Sequence, residues 1–261
     1  MMVDVISRLV NAERLVLFGW SRAILLQMAH PLVAAGVADH SHFRSSALAA
    51  VKRLRGTVRS MLSLAFGDAA AYGRSIAGIR AIHTRVHGEL RADTGVFAAG
   101  TPYSAEDPAL VLWVHATFVD SALLVYDRLI RPLSDEERDA YCQEGAGVAL
   151  ALGANAADVP LSWSSLQQYM ETEYASGRIT VGADARMIAE AVLFPPLSAL
   201  TWPAAWTNRM VTLGLLPPSV REQYRYAWND TRERQLARTL ALLRSARRIS
   251  PRTVALWPDA R

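Results

Sequence analysis

Apolar residues recur at three-and-four spacing through most of this chain and nowhere in the strict alternation of a half-buried strand, so the pattern predicts helices almost throughout. An amphipathic stretch covers residues 3–18. Ser21 then offers an N-cap for a second helix running into His30-Pro31, where the proline turns the preceding residue away from helical angles. Ser45 or Ser46 opens a third helix that continues to Phe66 and stops at Gly67, and Asp68 caps a fourth that ends near Gly88 or Leu90. After a loop rich in Gly, Ala, Thr and Pro, Ser104 to Asp107 reads as a capping box, with Pro108 in the first turn of a long helix to residue 130. Ser134 followed by Asp135, Glu136 and Glu137 is another start signal, because acidic side chains suit the positive end of a helix dipole; that helix fades at Gly153. Further helices fit 164–174, 183–193, 197–213, 219–228 and 231–246. The predicted fold class is all-α: a single globular multi-helix bundle over residues 1–261, without repeats or a linker.

The helix from Pro108 is apolar all round, which places it at the centre of the bundle and obliges its few polar residues to find partners. Thr117 and Asp120 share a face with Leu124, whereas His115 lies beside Leu112, Val119 and Ala122. In the fourth helix Ile76, Ile79, His83, Val86 and Leu90 form one apolar stripe interrupted by a single imidazole. His83 is therefore the best ligand candidate, since a histidine on such a face either hydrogen-bonds a neighbour or holds a metal. The third helix carries Arg53, Gly56, Thr57 and Ser60 on one stripe: a cation, a notch and two hydroxyls. That surface suits either a flat ligand or plain exposure among Lys52, Arg55 and Arg59.

Composition narrows the options. The chain is 51% apolar, enough to fill a sizeable core. Its net charge of +4 comes from cations spread along the chain, Lys52 being the only lysine, so no nucleic-acid partner is expected. The densest basic stretch, 232–252, reads as the solvated face of a late helix. The lone cysteine, Cys142, rules out an internal disulfide and the paired-cysteine attachment of a c-type haem, and inert packing is its expected role. No secretory signal opens the chain, and the longest apolar runs contain Gln27 and His30, or His115 and Asp120, which lipid would penalise. A cytoplasmic protein without a transmembrane segment is expected, with peripheral membrane contact left open. There is no Glu-x-x-His pair, zinc helix, phosphate loop or nucleophile elbow. His83 and His87, four apart, could share one metal but lack a third ligand, and His40-Ser-His42 reads as solvent-facing.

Several blocks of the sequence are familiar together: Gly19-Trp-Ser-Arg-Ala23, Gln27-Met-Ala-His-Pro-Leu-Val33, Gly36-Val-Ala-Asp-His-Ser41, Ile79-Arg-Ala-Ile-His-Thr-Arg-Val-His-Gly88 and Tyr103-Ser-Ala-Glu-Asp-Pro108, followed by Leu112-Trp-Val-His-Ala-Thr117. They resemble the rubber oxygenase catalytic-domain family, which groups latex clearing protein with the oxygenase that cleaves the farnesyl chain in mycophenolic acid synthesis. The resemblance implies a globin-like helical core holding a non-covalent b-type haem, with His83 as the proximal iron ligand. In the latex enzymes a distal helix carries an arginine, a lysine and a threonine, which map onto Arg53, Gly56 and Thr57. Glycine in place of the lysine implies an open distal site, filled by water or another side chain. The same comparison suggests His115 and Thr117 as residues close to the haem, and Asp39 as the counterpart of an acidic residue that would remove an allylic proton if it faced the pocket. Arg22, Arg80 and Arg85 are candidates for the haem propionates.

The expected function is thus a haem-dependent oxygenase that uses dioxygen to cleave the C=C bond of a small apolar, isoprenoid-like alkene; rubber itself is not the expected substrate, because the chain has little outside the core. The alternative is a haem or apolar-ligand binder without turnover. A third reading is a helical interaction module that uses the basic C-terminal segment. The sequence does not specify an oligomeric state.

Overall fold

The computed structural model describes residues 5–40, 47–194 and 202–260, with backbone only at 47–55 and 57. The chain is all-α apart from one short hairpin. In order it forms α1 (Ile6–Ala12), α2 (Leu17–Met28), α3 (Pro31–His40), α4 (Ala47–Phe66), α5 (Ala69–His83), β1 (His87–Glu89), β2 (Pro102–Ser104), α6 (Pro108–Leu129), α7 (Asp135–Leu152), α8 (Trp163–Ala175), α9 (Ala183–Leu193), α10 (Trp202–Gly214), α11 (Pro218–Gln223), α12 (Asp230–Ile249) and α13 (Arg252–Ala255).

α6 is the axis of the bundle, as its uninterrupted apolar sequence requires. Trp113, Leu123, Val125 and Leu129 are fully enclosed by α1, α2, α7, α8 and α12. The helix is long and apolar enough to cross a membrane by length and composition, yet most of it is buried inside the molecule. α2 packs most intimately on it, and Gly19 is the reason: a Cβ there would lie 2.8 Å from the Ser121 carbonyl oxygen. Where α2 meets α6, Arg22 donates from one guanidinium nitrogen to Asp120 Oδ2 and to Ser121 Oγ, both at 2.6 Å, and from Nε to the Leu215 carbonyl at 2.7 Å. Three separate chain segments are thereby tied by one side chain. Arg22 is held at this junction through Nε and one terminal nitrogen and does not line the cavity described below.

Several start and stop signals operate as written. The Asp68 carboxylate accepts from the Ala71 N–H, Ser134 and Glu137 complete a reciprocal capping box, and Gly153 takes the left-handed conformation that closes α7. Elsewhere the chain departs from expectation. The first helix breaks at Glu13, whose extended backbone lets its carboxylate reach Arg247 of α12. Ser21 is interior to α2 and donates to Asn208, so it caps nothing. Asp107, not Ser104, caps α6. α5 stops at His83 instead of reaching Gly88, because residues 87–89 pair with 102–104 in antiparallel register. Gly88 permits that pairing: a Cβ would sit 2.6 Å from the Tyr103 hydroxyl. Ser45, Ser46 and the expected start of the helix at 197 lie outside the described residues.

Candidate functional site

A cavity of about 520 Å³ opens between the first half of α6 and the helices around it, within the size range typical of small-molecule sites. α6 contributes Leu110, Val111, Val114, His115, Phe118 and Val119; α3 contributes Leu32, Val33, Gly36 and Val37; α4 adds Met61, Leu62, Leu64 and Ala65. The walls are aliphatic and aromatic, with polar groups at a few points only. His83 and Ile79 come from α5, Gln27 from α2, Tyr103 and Ser104 from β2, and Glu144 and Gly145 from α7. Three imidazoles, those of His83 and His115 and, at the rim, His40, therefore border one apolar chamber.

His83 ends α5 at the cavity wall. Its Nδ1 is buried and receives no hydrogen bond from the described residues. Burial lowers its pKa, with the nearby Glu106 charge acting the other way, so the ring is neutral near pH 7 and keeps a nitrogen lone pair for a ligand. His115 comes from the opposite element of the chamber. Its ring approaches Gly145 of α7, where a Cβ would come within 3.6 Å of the imidazole, and burial alone lowers its pKa to about 4. Among the described residues no three His, Cys, Asp or Glu side chains gather to hold a metal ion directly. His83 therefore offers one imidazole nitrogen to a cofactor that brings its other metal ligands with it, at the wall of an apolar chamber.

The remaining expected site residues fall into three groups. Thr117 is fully buried on the α2 side of α6, off the cavity wall: it donates to the Val114 carbonyl at 2.8 Å and accepts from Gln27 Nε2 at 3.1 Å. Its influence on the cavity runs through Gln27, which does line it. Asp39 is neither a solvated turn residue nor a cavity residue. It ends α3, pairs with Arg91, and accepts from the Tyr103 hydroxyl at 2.6 Å, so both carboxylate oxygens are engaged and it is not placed to act as a base. Burial first, and then this acceptor, push the Tyr103 phenol up to about 12. On α4, Gly56 is exposed, and among the described residues nothing lies within 4 Å of a Cβ placed there, so it forms no notch against them. The side chains of Arg53 and Thr57 lie outside the described residues; by helical register these positions share a face with Met61 and Leu64, which line the cavity.

His87 leaves the expected pair with His83, since it belongs to β1 and is exposed. His40 is exposed, as expected, and also reaches the cavity rim, with Nε2 3.1 Å from the His87 carbonyl; His42 lies outside the described residues. Arg80 and Arg85 are exposed and off the cavity wall. Sequence reasoning missed Gln27, although a lone amide in an apolar helix was its signal. It also missed Tyr103, for which no periodicity gave notice. Cys142 is buried and its thiol is pushed up to about 12, the inert packing role expected.

Two buried histidines give the fold a predictable acid sensitivity. His30, at the α2–α3 junction against the Phe97 ring, is lowered to about 4, mainly by burial, as is His115. The unfolded chain takes up protons at the ordinary histidine value of 6.5, whereas the folded chain resists until about 4. Stability is therefore complete above pH 6.5 and falls as pH drops toward 4, by up to about 1.4 kcal/mol per pH unit for each histidine. Urea midpoints at pH 7.5 and pH 5 measure this, and His30→Gln should remove part of the slope. Equal midpoints at the two pH values would contradict these environments.

A family model described as ER-bound oxygenase mpaB/B′/Rubber oxygenase, catalytic domain, matches residues 7–245. Comparison with curated proteins gave no match, and neither did comparison with solved structures.

Proposed function

This chain belongs to the mpaB and rubber oxygenase catalytic-domain family, and from that premise we propose that it is a b-type haem oxygenase that cleaves a C=C bond in a small apolar alkene. One observation carries the haem assignment: a neutral imidazole with a buried, unpartnered nitrogen, His83, set in the wall of an apolar chamber. Bound haem would supply the redox-active iron that activates dioxygen. The chain's own contribution is position and environment. His83 would hold the haem iron, and its lowered pKa keeps it unprotonated for that task at neutral pH. The aliphatic surfaces of α3, α4 and α6 would hold the alkene and keep bulk water out.

Polar groups at the cavity are few and individually braced. Gln27 presents an amide whose orientation is set by Thr117 and the Val114 carbonyl. Asp39 fixes the Tyr103 hydroxyl, so it acts as a positioning residue in place of the base that the resemblance suggested. Arg53 and Thr57, on the stripe of α4 that continues into Met61 and Leu64, would donate hydrogen bonds to dioxygen, and with glycine at position 56 no lysine competes there. The described walls carry no cationic side chain, and Glu144, which accepts from the Ser7 N–H at 2.7 Å, is their one carboxylate, so the largely apolar lining favours an uncharged substrate body.

The test is spectroscopic first and catalytic second. Protein expressed with haem supplementation should show a Soret band that shifts with carbon monoxide after reduction, then consume oxygen with one or more members of an isoprenoid panel and yield carbonyl products. A colourless preparation defeats the haem assignment. A reducible haem without oxygen uptake on any alkene would identify a binder without turnover.

A further inference from the structure

The two most exposed large apolar side chains among the described residues are Ile249, 86% exposed, and Leu242, 71% exposed, and both belong to α12. Seven residues apart, they project from the helix within about 20° of each other. Leu236, Leu240 and the half-buried Leu243 face the opposite way, into the bundle. The outward stripe is therefore a second apolar edge, distinct from the one that holds the helix to the fold.

The charged residues of this stretch are all cationic. From residue 234 to residue 258 there are six arginines and no acidic residue. Arg244 is occupied with the Arg128 carbonyl and Arg247 with Glu13. Arg238 and Arg248 are exposed and form no ion pair among the described residues, and Arg234 reaches only the Thr231 hydroxyl. On the wheel Arg238, Arg234 and Arg248 follow one another at about 40° steps along one side of the Leu242 and Ile249 stripe, with uncharged Gln235 and Ala246 on its other side, and Val254, 58% exposed, follows beside Arg252 on α13. A solvated helix face would use arginine without leucine and isoleucine at its crest. A face for nucleic acid would have no use for aliphatic groups at its centre.

We infer that this face of α12 and α13 docks on an anionic lipid surface, with Leu242, Ile249 and Val254 entering the acyl boundary and the arginines engaging headgroup phosphates. An apolar stripe bordered by uncompensated cations is the arrangement that lies in the plane of a membrane interface. The face ends next to the cavity's own walls. Leu256 bridges Glu13, the Trp257 N–H donates to the Ala12 carbonyl at 3.0 Å, and the last turn packs on α1 and α4, both of which line the chamber. The inference uses neither haem nor turnover, so it stands or falls apart from the function proposed above.

Vesicle co-sedimentation of the full chain tests it, comparing pure phosphatidylcholine with phosphatidylcholine containing roughly 30% phosphatidylglycerol, an anionic content that attracts polybasic faces. The chain should bind the anionic vesicles and not the neutral ones, and binding should weaken with salt. Leu242→Ser/Ile249→Ser should lower the affinity at least about tenfold through lost apolar burial. Arg238→Gln/Arg248→Gln should lower it by roughly fivefold per arginine. These side chains are exposed, so all variants should melt with the wild type, and circular dichroism checks that they do. Full binding by the serine variant would overturn the inference. So would equal binding to neutral vesicles, no binding to either, or a preference for duplex DNA or RNA over anionic vesicles.

Discussion

His83→Ala should lose most of its haem and, with it, oxygen uptake, by at least about 100-fold. Even hydrogen-bond partners of a metal ligand are worth about 10–100-fold, and this residue is proposed as the ligand itself. The substitution should leave the fold intact. His83 is half-buried at the end of α5 and its Nδ1 makes no bond among the described residues, so alanine removes an unsatisfied nitrogen and little packing. A melting curve close to wild type, combined with absent Soret absorbance, separates loss of ligation from loss of structure. Added imidazole should diffuse into the space left by the truncated side chain and restore part of the absorbance, which a purely structural role would not allow. His115→Ala is the informative control, because that ring shares the chamber. If His115→Ala bleaches the protein while His83→Ala keeps its colour, the axial ligand is His115. If both variants retain full haem, the cavity is not its site.

His83 was readable in the sequence because it interrupts a regular apolar stripe, and the bundle was readable because helical periodicity, Asp68, Ser134 and Gly153 all signal locally. Locality is also where legibility ended. The stripe of Ile76 to Leu90 was read as one helix, but pairing of 87–89 with 102–104 takes over after His83, and that competition depends on residues some fifteen positions away. For the same reason His87 left the site and Tyr103 entered it. Asp39 illustrates the point from the polar side: a carboxylate before His40 and Ser41 looks solvated until Arg91 and Tyr103 arrive from the following loop and strand. Thr117 and His115, two residues apart on α6, were correctly assigned to different faces. Periodicity cannot tell which face meets a cavity and which meets Gln27, and that distinction came from the packing of α2.

The largest stability effect should come from Arg22, well away from the cavity. Arg22→Met is expected to cost about 3–5 kcal/mol, the usual penalty for removing one partner of a buried ion pair. The Arg22 side chain is 5% exposed and that of Asp120 18%, so the carboxylate left behind would have little water to turn to. Ser121 Oγ and the Leu215 carbonyl would lose their donor at the same time. For a chain of this length the loss corresponds to a fall in Tm of roughly 6–20 °C. Asp120→Asn should cost less, about 1–2 kcal/mol, because the amide oxygen still accepts from Arg22. Arg22→Met/Asp120→Leu should be more stable than Arg22→Met alone, since it removes the stranded charge together with its partner. Urea unfolding of these three variants and of Asp120→Leu alone measures all of this. Strict additivity of the two sites, or an Arg22→Met variant within about 1 kcal/mol of wild type, would show that the pair is solvated rather than buried. The consequence for function follows from where the pair sits. It locks α2 to α6 and to the segment after α10, and α2 and α6 carry Gln27, His115 and much of the apolar wall. A loosened Arg22 junction should therefore broaden the Soret band and speed haem loss even though no atom of Arg22 lines the cavity, whereas a change confined to the cavity wall would alter the spectrum without lowering the melting temperature.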